Sequence, residues 1–402
     1  MKISYNKGIT LVALVVTIVV LLILAGVSIN LVLGENGLIN NAKEAKNKTL
    51  QAEKDDEESM DATANWIIKN VANLPQTTET KPYIPSSEFS QLEGTNLRNG
   101  LVIQDREGNQ YVWIEVPIKE EVYKTAGLNI TEFNIDTYTK IENDLHDYAG
   151  EYRKSTVCKD EYLEGSDDSE YWFKSEEEYN AQKYKMLKSV YQNGGFWVGR
   201  YEAGIDEKRT ESVEATLTPK SKQNLYPYNF VTRVQAKRLA EQVKYKVGKS
   251  EYNGSLLFGI QWDLILKFIE TNKIQNDSKI IEKLKNDSTE IGNHKETLWS
   301  INSLAKYSIN NGADFISGPY QKNETTSILL TTGTDDKFLL MNIYDIAGNV
   351  REWTLENNSE NISLGVYRGG AFCDKGADYP ASSHRIITSD GYSVIGFRVS
   401  IY

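Results

Sequence analysis

Cysteine is nearly absent from this sequence: Cys158 and Cys373 are the only two in 402 residues. Two cysteines cannot staple a disulfide scaffold, and these two have no metal-ligand spacing. One bridge and two unpaired thiols are equally consistent with the count. Histidine is scarce too, with His146, His294 and His384 alone. No phosphate-binding glycine loop occurs. Basic charge is outweighed, with 45 Lys and Arg against 56 Asp and Glu and a formal net charge of −11. That balance disfavours nucleic acid as a partner and serves solubility. Proline numbers 8 against 28 glycines, so turns rest mainly on glycine. No internal repeat is present.

Forty per cent of the residues are apolar, enough for a sizeable core in one large domain or two ordinary ones. Residues 9–33 contain no charged side chain. As a helix they extend about 37 Å, enough to cross a hydrocarbon core. A helix apolar on every side needs lipid or a very large core, so the reading is a transmembrane helix. Lys2 and Lys7 precede it and Lys43 is the first basic residue after it. The positive-inside bias then gives a single-pass membrane protein, with a cytoplasmic N-terminus and an extracellular C-terminal domain. Residues 34–74 read as a helical stalk, with Met60, Ala64, Ile67, Val71 and Leu74 on one stripe. Pro75, Pro82 and Pro85 end it, giving an exposed linker over 75–98.

Beyond residue 98 the signals are short and separated by turns. Leu101-Val102-Ile103, a turn over 105–109, and Tyr111-Val112-Trp113-Ile114 read as a β-hairpin. Phe196-Trp197-Val198 after Gly194-Gly195 reads as another strand. Helical spacing places Val234, Leu239 and Val243 on one face, and Trp262, Ile265, Leu266 and Ile269 on another. The mixture is α+β.

Two resemblances carry further expectations. Lys7-Gly8-Ile9-Thr10-Leu11 before the apolar run resembles the cleavage region of type IV prepilins. This implies a leader over 1–8, cut between Gly8 and Ile9 by a prepilin peptidase, and other pilin-like subunits as partners in a pilus-associated protein. Ala13 stands where the family carries the glutamate tied to assembly.

The second resemblance rests on four ordered blocks: Gly195-Phe196-Trp197-Val198-Gly199-Arg200-Tyr201-Glu202; Asn342-Ile343-Tyr344-Asp345-Ile346-Ala347-Gly348-Asn349-Val350-Arg351-Glu352-Trp353; Tyr367-Arg368-Gly369-Gly370-Ala371-Phe372; and Gly396-Phe397-Arg398. They resemble the signature of the formylglycine-generating enzyme, or sulfatase-modifying factor, family. The implied fold is a C-type-lectin-like domain over 99–402, carried on the pilin-like helix, with insertions near 119–190 and 272–330. It also implies a structural calcium ion held by Asp345, Gly348, Val350 and Glu352. A hard cation taking carboxylates and backbone carbonyls suits that set. The family enzyme oxidises a sulfatase cysteine with copper and a pair of cysteines. Here Cys373 has no second cysteine near it, and residues 377–379 are Ala377, Asp378 and Tyr379. Copper is therefore not expected.

The function expected is a surface protein displaying a non-catalytic lectin-like domain that binds an extracellular protein or glycan. Its ligand face falls on Asp374, Asp378, Tyr379, Ser382, His384 and Tyr392. One alternative is an oxidoreductase related to formylglycine-generating enzyme. Another is a receptor-binding protein diversified over 374–392.

Overall fold

The computed structural model describes residues 16–21 and 75–402, apart from 154, 156, 165, 168–169, 360–363 and 389. The chain divides into two units, Met1–Asn65 and Trp66–Tyr402. Of the first, only 16–21 is described, as helix. The cleavage position at Gly8 and Ile9, most of the 9–33 span and the stalk over 34–74 lie outside the described residues. Among the described residues, no helix is long and apolar enough to cross a membrane. The expected architecture, a domain on a long transmembrane pilin-like helix, is corrected to the α+β unit alone. The single-pass topology, the cytoplasmic and extracellular placements and the pilus association lose their structural basis with it. So do the membrane, prepilin peptidase and pilin-like subunits as partners.

The α+β unit is built on two sheets. The larger has seven strands: β1 (Ser90–Gln91), β2 (Val102–Gln104), β3 (Gln110–Glu115), β5 (Gly195–Gly199), β6 (Lys244–Val247), β7 (Ser250–Leu256) and β12 (Val399–Ile401). Their spatial order is β1-β2-β3-β5-β12-β7-β6. The second is centred on β8 (Arg351–Asn358). It pairs antiparallel with β9 (Leu364–Arg368) and β4 (Cys158–Lys159), and parallel with β11 (Ile395–Phe397); β10 (Arg385–Thr388) joins beyond β9.

The hairpin β2–β3 forms as its alternation dictates. Asp105 closes the turn by accepting from the Asn109 backbone N–H and side-chain amide, both at 2.8 Å. Along β3, Val112 and Ile114 face the main core, while Tyr111 and Trp113 face a second apolar cluster with Trp197 and Ile401. A strand points successive side chains to opposite faces, so β3 is buried on both. The segment expected as an exposed linker covers this second face. Ile84 and Phe89 are buried there, the Thr80 hydroxyl accepts from Trp113 Nε1 at 2.8 Å, and the Tyr83 hydroxyl donates to the Ile401 carbonyl at 2.8 Å.

Helices pack against these sheets. The segment 119–190 supplies α1 (Ile135–Ala149) and most of α2 (Glu176–Asn193). Ser175 caps α2 at its start and Gly194, left-handed at φ 69°, ends it. Tyr179, Met186, Leu187 and Val190 lie on its buried face, one stripe at helical spacing. α3 (Arg233–Ala240), α4 (Gly259–Lys273) and α5 (Ile280–Lys285) follow. Trp262, Ile265, Leu266 and Ile269 of α4 are all buried in the main core.

Candidate functional site

Most polar residues of the four motif blocks are drawn into the core, with Glu202, Asp345, Asn349, Glu352, Arg368 and Arg398 all buried. On β8, Trp353 and Leu355 point into apolar packing, and Glu352, Thr354 and Glu356 lie on the other face. All five are 1% exposed or less. A strand face with two glutamates would ordinarily face water. It is buried here because arginines meet it.

Glu352 is met by Arg398, whose Nη2 is 2.7 Å from one carboxylate oxygen and whose Nε is 3.1 Å from both. The same guanidinium donates to the carbonyls of Gly199 at 2.9 Å and Tyr344 at 2.8 Å. Glu202 lies in the same region, accepting from the Asn349 amide at 2.6 Å and the Val350 N–H at 3.1 Å. Asp345 accepts from the Gly333 N–H at 3.1 Å. Burial, with Asp345 and Glu352 adding to it, pushes the Glu202 carboxyl well above the usual range despite Arg398. Burial raises Asp345 to about 7, opposed by the Gly333 N–H and Arg398.

This geometry corrects the calcium expectation. Gly348 and Asn349, at φ 75° and 55°, do fold the backbone sharply. Yet the Glu352 carboxylate is taken by Arg398. A guanidinium thus already neutralises Glu352, and the donor set suited to a metal ion among the described residues lies elsewhere. Arg351 turns away to form a two-nitrogen pair with Asp374, at 2.9 and 2.7 Å.

The second network lies under the C-terminal segment. Glu356 is reached by Arg368 at 3.2 Å, Arg153 at 3.3 Å and His384 Nε2 at 3.3 Å. Burial alone would raise this carboxyl; Arg368, His384 and Arg153 together hold it far below the usual range. Asp263 pairs with Arg368 and Arg153. Asp160 accepts from the Gly259 and Ile260 N–H groups at 2.7 and 2.8 Å, where a carboxylate complements the start of α4. Arg153, Asp160, Asp263 and Glu356 carried no local sequence signal, since their partners are up to 203 residues away.

Above this network the chain forms a cleft of about 460 Å³. Its walls include Asp378, Ser382 and His384 among the six residues expected for ligand binding, with Lys285, Arg385 and Ser383. Gly369 and Gly370, at φ 86° and 72°, turn the chain out of β9. At Gly370 an added Cβ would sit 2.7 Å from the Tyr379 carbonyl oxygen, so only glycine fits. Further along, Trp262 Nε1 holds the Ala381 carbonyl at 2.9 Å, and the Ala381 N–H donates to Ser288 at 2.9 Å. The other expected residues serve differently. Asp374 is bound to Arg351 and accepts from the Ala371 N–H at 3.0 Å. The guanidinium groups of Arg351 and Arg385 both lie over the Tyr379 ring, at 5.3 and 4.8 Å from its centre. Tyr392 donates to Asp390 at 3.1 Å, away from the cleft walls.

Cys158 and Cys373 are both free thiols and form neither a disulfide nor a catalytic pair. Burial raises both thiol pKa values, which disfavours the thiolate. His294 is fully buried with its pKa lowered to about 4 by burial.

Among the described residues, one cluster has the donors to hold a metal ion: Glu142, His146 and Asp160 offer ligand atoms within 4.8 Å of one another. Lys183 contests it, with its ammonium 3.0 Å from Glu142 and 2.9 Å from the Asp160 carbonyl.

No family model matches the chain, and no curated protein matches it. Among solved structures it is similar to that titled "Crystal Structure of CarF", at 14% identity and a TM-score of 0.31, covering 51% of this chain and 85% of that one. It is also similar to Treponema denticola variable protein 1, at 13% identity and a TM-score of 0.29, covering 52% of this chain and 84% of that one. The prepilin and formylglycine-generating-enzyme resemblances read from the sequence are corrected accordingly: no family model supports either, and nothing about fold or site is taken from the two solved structures.

Proposed function

We propose that the Trp66–Tyr402 unit is a ligand-binding domain whose recognition face is the cleft walled by residues 377–385. The observation that carries this reading is the convergence of Asp378, Ser382 and His384 on one concavity of about 460 Å³. His384, on the cleft wall, is tied at 3.3 Å to the buried Glu356. Of the alternatives read from the sequence, a receptor-binding protein with its face near the C-terminus accords with this placement. An oxidase of the formylglycine type would need a paired thiol beside Cys373. The test is an array of glycans and peptides probed with the purified chain and with Ala377→Trp. Ala377 is exposed on the cleft wall, so the indole would block the concavity without entering the core. Binding that survives this change undiminished would sink the reading.

At Glu142, His146 and Asp160, one imidazole and two carboxylates form a donor set suited to a zinc-type ion. Calcium, which takes oxygen ligands, suits it less well. Metal analysis of purified chain after dialysis against zinc and calcium separates the two, and Lys183→Met should strengthen binding by removing the competing ammonium.

A further inference from the structure

We infer that the outer edge of β10 docks a second copy of this chain, strand against strand in antiparallel sense. The pairing does not depend on what the cleft binds. Among the described residues β10 pairs with β9 alone and ends its side of the second sheet. In an antiparallel pair, alternate residues give their N–H and C=O groups to the neighbour and the others point away. The outward groups of β10 have no other backbone partner among the described residues.

The other sheet ends are closed to such pairing. β11, at the far end of the same sheet, is buried throughout. In the seven-stranded sheet, β1 has only two residues and β6 carries the exposed Lys244 and Lys246. Very short edges and edge lysines both discourage strand addition. β10 reads Arg-Ile-Ile-Thr, a largely β-branched run that suits a pleated strand.

Exposed apolar side chains flank this edge. Ile387 packs against the main core. Successive side chains alternate, so Ile386 and Thr388 face away from it, and Ile386 is 42% exposed. The hydroxyls of Thr388 and Tyr392 meet at 3.0 Å, and the Tyr392 ring is 37% exposed. Ser212 lies against Gly391, which brings the half-exposed Val213 to the same end of the strand.

An open edge accepts many strands; charge selects the second copy. Arg385 opens β10, and the exposed Asp390 stands just past its close. Antiparallel pairing about a twofold axis sets the Arg385 end of each copy beside the Asp390 end of the other. The Arg385 guanidinium gives one N–H to the Asp378 carbonyl and keeps others for a carboxylate. Parallel pairing would set like ends together. The edge is therefore self-complementary, as a twofold interface requires. Because the strand has only four residues, the surface buried is small and the dimer is a weak one.

The apolar stretch 9–33 is a separate route to association, so the readout is placed on the strand itself. Thr388→Cys, in a Cys373→Ser background that leaves only the buried Cys158, carries a spin label, and dipolar spectroscopy of the full chain reads distances between copies. Paired strands lie about 5 Å apart, so the labels should fall within about 20 Å of each other. Ile386→Lys should cut the fraction of close pairs about tenfold, as lysine does on an edge. Arg385→Asp should cut it as well, and adding Asp390→Arg should restore it. Unchanged circular dichroism and melting temperature check the fold of each variant. No close pairs at submillimolar chain would overturn the inference, as would close pairs that ignore Ile386→Lys or a charge exchange that restores nothing. Distant labels, with residues 385–388 protected from hydrogen exchange by an added threonine–valine peptide, would assign the edge to a foreign strand and overturn it too.

Discussion

Arg398 and Glu352, 46 residues apart, are joined by three contacts of 2.7 to 3.1 Å with both side chains excluded from water. Removing one partner of a buried pair leaves an uncompensated charge, at about 3–5 kcal/mol. Arg398→Met should lower unfolding free energy by that order in urea denaturation. The double change with Glu352→Gln should recover a substantial part. A single variant as stable as the parent would show the pair to be dispensable.

Calcium should leave the protein unmoved. A ligand binding only the folded state raises stability by about 3 kcal/mol at a hundredfold excess over its dissociation constant. With Arg398 on Glu352, melting in millimolar calcium and in chelator should coincide. A rise in calcium that Asp345→Asn abolishes would restore the metal site.

Asp345 makes stability fall as the solution turns less acidic. Its folded pKa, raised to about 7, exceeds the unfolded value of about 3.9. Between those values the folded state binds more protons, so its contribution is full below about pH 4 and is lost as pH rises to 7. Glu356 has the opposite sign: its pKa is depressed, and its contribution is lost as pH falls below the unfolded value of about 4.3. Urea midpoints measured from pH 3 to 8 should fall less steeply between 4 and 7 in Asp345→Asn.

Gly370→Ala should distort the cleft. The residue is left-handed at φ 72°, and the new Cβ would meet the Tyr379 carbonyl at 2.7 Å. The expected cost is about 1–3 kcal/mol. Hydrogen exchange should rise first in residues 374–385. Exchange raised uniformly across the domain would argue against a local role.

Local signals in the sequence went a certain distance. The β2–β3 hairpin, the strand after Gly195 and the α4 face around Trp262 are set by alternation, turn residues and helical spacing, all contained within a few residues. Asp378, Ser382 and His384 share a cleft because they lie within one short loop. What the sequence hid depends on distant partners. Glu352 and Glu356 alternate with Trp353 and Leu355 like the wet face of an ordinary strand. Only Arg398, Arg368 and Arg153, arriving from elsewhere, make that face dry. Lys285 was hidden for the same reason, since nothing near it foretells Arg385. The segment 119–190 matched no known pattern, yet α1 and α2 furnish Ile141, Leu145, Met186 and Val190 to the main core.

Strand β12 lies between β5 and β7 in the seven-stranded sheet, although it follows every other strand of that sheet in sequence. During synthesis, at about 5–20 residues per second, the portion β1-β2-β3-β5 and the hairpin β6–β7 are both made well before the strand that joins them. For several seconds the ribosome-bound chain therefore carries two open sheet edges, each a template for unintended pairing. Val399–Ile401 closes both at once, so a chain stalled before this strand is the form most exposed to aggregation and most in need of a chaperone.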